Sequence, residues 1–126
     1  MDGKIKMPFG LRMARDAFKR SAYDDIKVGA SLINKSKIIL AWNEKKTSPA
    51  IQRLKYPLYS NFHAEANLFG RMIAPVAGIV FVYRQKPSGM LAIARPCKYC
   101  MNVLRLYGIK KVCYTIIDGW QWERID

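Results

Sequence analysis

Two short clusters, His63-Ala64-Glu65 and Pro96-Cys97-Lys98-Tyr99-Cys100, constrain this chain more than any other feature of its sequence. Each lies at the start of an apolar helical pattern, and a strand-like run from Gly78 to Tyr83 separates them. To serve one site, the two helices must bring their N-termini face to face. Zinc prefers four ligands, so His63, Cys97 and Cys100 leave one position open to water, as a catalytic rather than a closed structural site requires. His63 is the only histidine, and Cys113 lies on a predicted strand well beyond the pair, so the inventory itself favours an open site. The positive ends of two helix dipoles favour the thiolate forms of both cysteines. Glu65 projects near the metal without being forced to ligate it, which suits a residue that moves protons. The competing readings are a structural zinc site, for the three ligands, and a helix-start carboxylate, for Glu65.

The rest of the chain supplies a scaffold for such a site. Leu11, Ala14, Phe18 and Ala22 recur at helical spacing and predict a first helix over 9–22. Val28–Ile33 and Ile38–Trp42, separated by the polar stretch Asn34-Lys35-Ser36-Lys37, predict a hairpin. Asn43 through Ser60 is polar, basic and broken by Pro49 and Pro57, and is expected to be a long irregular connection. His63 to Ile73 reads as a helix ended by Pro75, and Gly78 to Tyr83 as a central strand. Met90 to Ala94 forms a short apolar approach to Pro96, and Cys97 to Tyr107 reads as a helix closed by Gly108. Lys111 to Ile117 is the last central strand, and Asp118-Gly119 marks a turn before an antiparallel strand from Trp120 to Ile125. One α/β domain over 1–126, with helices packed on a mixed sheet, accounts for this order.

Composition narrows the partners. The 126 residues, 51% of them apolar, suffice for one core, and no apolar run approaches the roughly 20 residues of a membrane span. No secretory signal is recognisable at the N-terminus, so a cytoplasmic protein, alone or as a homo-oligomer, is the expectation. The excess of 22 Lys and Arg over 9 Asp and Glu gives +13, a field that favours anionic partners such as nucleotide phosphates or nucleic acid. Lys45, Lys46, Arg53 and Lys55 place part of that charge on the long connection, either as a solvated loop or as a phosphate-binding gate. Cys113, in an apolar segment, is expected to be a buried thiol.

The joined pattern H-x-E and P-C-x-x-C is that of zinc-dependent nucleobase deaminases. Over nearly its whole length the chain resembles the cytidine and deoxycytidylate deaminase superfamily, especially small deaminases encoded in phages and bacteria. The resemblance runs through Val28-Gly29-Ala30, Trp42-Asn43, Lys46-Thr47, His63-Ala64-Glu65, Ala94-Arg95-Pro96-Cys97-Lys98-Tyr99-Cys100 and Gly108 to Thr115. It implies a three-layer α/β/α cytidine-deaminase-like sandwich with a mixed five-stranded sheet and an antiparallel C-terminal hairpin. It also implies zinc as the cofactor and water attack at C4 of cytosine, leaving uracil and ammonia. The expected partner is a cytosine nucleoside or nucleotide; the alternative is single-stranded DNA or RNA.

By the same resemblance Asn43 contacts the substrate sugar and the backbone of Ala64 contacts the base, with Thr47 and Arg95 among the substrate-binding positions. Asn43 also suits a plain strand end. Arg95 stands where many relatives carry serine or glutamate, so contacts to the exocyclic amine are expected to differ. The chain ends soon after its last central strand. That argues against the tRNA-editing branch and leans towards an uncharged nucleoside. A zinc-stabilised nucleic-acid-binding module without catalysis is the reading from a different class.

Overall fold

A computed structural model describes residues 6–21, 27–35, 37–43 and 77–126. The first helix, α1 (Phe9–Phe18), buries Leu11, Ala14 and Ala17, and its first turn closes on the Pro8 carbonyl, which accepts from the Leu11 and Arg12 amides at 3.0 Å. It stops short of the expected Ala22. The Arg20 and Ser21 amides tighten onto Ala17 and Phe18, and the Ser21 hydroxyl then turns to Asn43, a partner far along the chain. Helical spacing alone does not register that diversion.

The strands β1 (Val28–Ile33), β2 (Ile38–Trp42), β3 (Ile79–Arg84), β4 (Lys111–Ile116) and β5 (Gly119–Arg124) form one mixed sheet in the order β2-β1-β3-β4-β5. Of the adjacent pairs, β3 and β4 are parallel and the others antiparallel. Between β3 and β4 runs α2 (Lys98–Leu106). It ends where Gly108 adopts φ 87°: the Gly108 amide donates to Arg105 and the Ile109 amide to Leu104, so the last turn's carbonyls are satisfied by a residue free to take that conformation.

Alternate residues of each strand face opposite layers. On one face Phe81, Tyr83 and Cys113 pack with Leu11 and Ala14 of α1; on the other Val80, Val82 and Val112 pack with Met101 and Leu104 of α2. The expected three-layer sandwich is therefore present. Each fully buried large aliphatic chain contributes roughly 2 kcal/mol to holding it. The C-terminal hairpin turns one residue earlier than expected. Ile116 pairs with Gly119, so Ile117-Asp118 makes the turn. Pairing Thr115 with Trp120 and Cys113 with Trp122 keeps both tryptophans on the α1 face, and a one-residue slip would reverse them. The expected helix over 63–73 and the 43–60 connection, Asn43 aside, lie outside the described residues. Among the described residues no helix is long and apolar enough to cross a membrane.

Gly29 sets how closely α1 approaches the sheet. A Cβ there would lie 2.1 Å from the Ala14 carbonyl oxygen and 2.2 Å from the Phe18 nitrogen, both backbone atoms that no rotamer change can move. Gly29→Ala is expected to destabilise the fold by about 3 kcal/mol, the upper range for overpacking, read as a lowered urea midpoint. An unchanged midpoint would contradict the seating of α1 on β1.

Candidate active site

The parallel pair β3 and β4 stays in register up to Val82 and Tyr114, beyond which the strands part. Thr115, fully buried, spans the gap. Its hydroxyl donates to the Ala92 carbonyl at 2.7 Å and accepts from the Arg84 amide at 3.1 Å. The segment leading to α2 enters here: the Ala92 amide donates to Arg84, and the Ala94 amide to Thr115, each at 3.0 Å. The carboxyl ends of β3 and β4, the end of an open α/β sheet at which ligands are commonly held, are thus joined through Thr115 and the 92–94 segment.

Pro96, buried, leads directly to Cys97, the N-cap of α2 with φ −70° and ψ 168°. Cys100 sits three residues on, in the first helical turn, and is fully buried, whereas Cys97 is half-buried. Residues three apart on a helix share a face, so both thiols occupy the same side of the helix start. Two thiols so placed are a donor pair suited to half of a tetrahedral zinc site. His63, Ala64, Glu65 and Thr47 lie outside the described residues.

Asn43 lies at the same end of the sheet. Its amide donates to Val28, Val28 pairs with Arg84, and Arg84 is bonded to Thr115. The Asn43 side chain is fully buried, and its carbonyl oxygen accepts from the Ser21 hydroxyl and from the Val28 amide at 3.0 Å. Asn43 thus ties the end of α1 to the first residue of β1 at this end of the sheet.

Arg95 is directed elsewhere. Its Nε and Nη2 donate to the two carboxylate oxygens of Glu123 on β5, at 2.9 and 2.7 Å, and the Tyr114 hydroxyl donates to the same carboxylate at 2.8 Å. Hydrogen bonds from Arg95 and then Tyr114 hold the Glu123 carboxyl below the ordinary range, and the Glu123 carboxylate raises Arg95 further. Burial first, and then the bond to Glu123, raises Tyr114. Cys113, on the α1 face, is pushed up to about 12 by burial and stays a thiol. Sequence reasoning missed Ser21, Thr115, Tyr114 and Glu123. Only Thr115, a polar residue inside an apolar run, carried a signal that could have found it.

The fold is a three-layer α/β sandwich that sets Cys97 and Cys100 together at the start of α2. A sequence-family model described as the cytidine and deoxycytidylate deaminase zinc-binding region matches residues 7–116. No curated protein matches the sequence. Among solved structures, the chain is similar to the 1.6 Å crystal structure of cytidine deaminase from Burkholderia pseudomallei, with a TM-score of 0.55 and 21% identity over 94% of each chain. That likeness is one of fold. The span of the family match shows that the chain belongs to the cytidine and deoxycytidylate deaminase family, whose general chemistry is hydrolytic deamination of cytosine.

Proposed function

We propose that the protein is a zinc-dependent hydrolytic deaminase of a cytosine nucleoside or nucleotide, with His63, Cys97 and Cys100 as zinc ligands and Glu65 as the proton carrier. The observation that carries this reading is the placement of Cys97 at the N-cap and Cys100 in the first turn of α2, at the carboxyl ends of β3 and β4, within the family match. When bound, zinc supplies Lewis acidity and makes water nucleophilic near neutral pH.

The chain's own residues do the rest. Glu65 accepts a proton as water attacks C4 and delivers it to the ring nitrogen; it then takes the proton of the new C4 hydroxyl and passes it to the amine, the C4–N bond breaks, and uracil and ammonia are left. Ala64 meets the base through its backbone, and Thr47 contributes on the substrate side. Asn43 meets the sugar.

Incubation with cytidine, deoxycytidine, their phosphates and a cytosine-containing single strand, followed by mass analysis for uracil, tests the proposal. Conversion of at least one monomeric substrate is the expected result, and no ammonia from any of them would overturn the reading. A second reading, deamination within single-stranded nucleic acid, is favoured by the +13 charge and by half-exposed Tyr99 with the Lys98 ammonium 5.3 Å from its ring. Preferential turnover of the oligonucleotide, falling steeply with salt, would establish it instead.

A further inference from the structure

β5 and the residue after it are bonded to the segment before α2 and to the last turn of α2. At the start, the Arg95 guanidinium, two residues before Cys97, forms its paired bonds to Glu123, which Tyr114 on β4 braces. At the other end, Arg105 donates through Nε to the Ile125 carbonyl, and the Ile125 amide is anchored to Lys110 at 2.9 Å. The segment before α2 alternates buried Ala92, Ala94 and Pro96 with exposed Ile93 and Arg95. Exposed Arg95 therefore projects to the side of the segment opposite its buried residues and meets the carboxylate there.

We infer that β5 is a positioning rail for α2, with Glu123 acting through Arg95 to fix the segment that delivers Cys97 and Cys100, so that Arg95 and Glu123 are positioning residues rather than substrate contacts. The inference rests on the proposed zinc ligation by the two thiols. A bidentate guanidinium–carboxylate pair defines direction as well as distance, which a single bond does not. Tyr114 removes the remaining freedom of the carboxylate by bonding the same oxygen as Arg95 Nε. Because Arg95 is 54% exposed and Glu123 26%, water screens the pair, and its loss loosens the segment rather than unfolding the protein.

The test compares zinc-loaded wild type, Arg95→Gln, Glu123→Gln, the double variant and the exchanged pair Arg95→Glu with Glu123→Arg. Zinc transfer to a chromogenic chelator and the thiolate-to-metal absorption of the cobalt-substituted protein are read alongside kcat and KM. Either single glutamine variant is expected to release zinc about three- to tenfold faster, at the low end for groups around a metal site, and to shift the cobalt band. The double variant should be no faster than the quicker single one, because both remove the same bond. The exchanged pair should recover most of the loss, and kcat should fall with KM unchanged.

Wild-type zinc release in Glu123→Gln would overturn the proposal, as would a raised KM in Arg95→Gln that Glu123→Gln does not share, since Arg95 would then contact substrate. A Cys97→Ser control separates this from failure of the underlying reading. Zinc held equally well without the Cys97 thiol would remove both, whereas zinc lost from Cys97→Ser but released normally by Glu123→Gln would remove the rail alone.

Discussion

Glu65→Gln is expected to leave zinc content unchanged while lowering uracil formation by about 10² to 10⁴-fold, the range that a positioned acid–base group contributes. Glutamine keeps the size of the side chain and one acceptor oxygen, but it cannot take a proton from water and return it to the ring and the amine. Zinc stays because Glu65 is not among the proposed ligands. Measured metal stoichiometry and a single-turnover assay separate these statements. A variant that lost zinc would make Glu65 a ligand, and one that formed uracil at the normal rate would end the proposed mechanism. If instead the variant lost nothing that the wild type does, including nucleic-acid binding, the protein would be a zinc-stabilised binding module.

The strands were legible because their apolar runs are short, bounded by polar turns and matched to a sheet buried on both faces. Val28–Ile33 and Ile38–Trp42 agree with the sequence reading to the residue, and β3 and β4 agree to within one. The end of α1 and the final turn were less legible, since both are decided by partners distant in sequence: Asn43 for Ser21, and the register of two tryptophans for the hairpin. The sequence put the thiol pair at the start of a helix beginning at Cys97, and the structure has Cys97 at the N-cap and Cys100 in the first turn of α2. Arg95 shows where such reasoning stops. The family resemblance implies a substrate contact for it; what no sequence pattern indicated is the bond of its guanidinium to a carboxylate 28 residues away on β5. The parting of β3 and β4 was likewise invisible, because it depends on Thr115 bonding two chain segments at once.

Cys97→Ser and Cys100→Ala are expected to abolish zinc retention alike, yet to change the stability of the metal-free protein in opposite directions. Loss of either thiol removes a proposed ligand, and with it the several kcal/mol that a metal contributes to the transition state, roughly 10³-fold or more in kcat. The structural consequences differ because the two positions differ. Cys97 is the N-cap of α2 and half-buried. Serine is among the preferred residues there, since its hydroxyl accepts from the amides of the first turn better than sulfur does, so the metal-free variant should gain up to about 1 kcal/mol. Cys100 is fully buried among the residues beneath α2, and trimming it to alanine leaves a small void that should cost about 1 kcal/mol. Urea unfolding in the presence of a chelator reads this contrast without the metal, and unfolding with zinc added shows wild type alone shifting to higher urea. Equal zinc-dependent stabilisation of all three proteins would show that the metal binds elsewhere. A Cys97→Ser protein that lost stability without metal would show that its thiol supports the fold rather than the site.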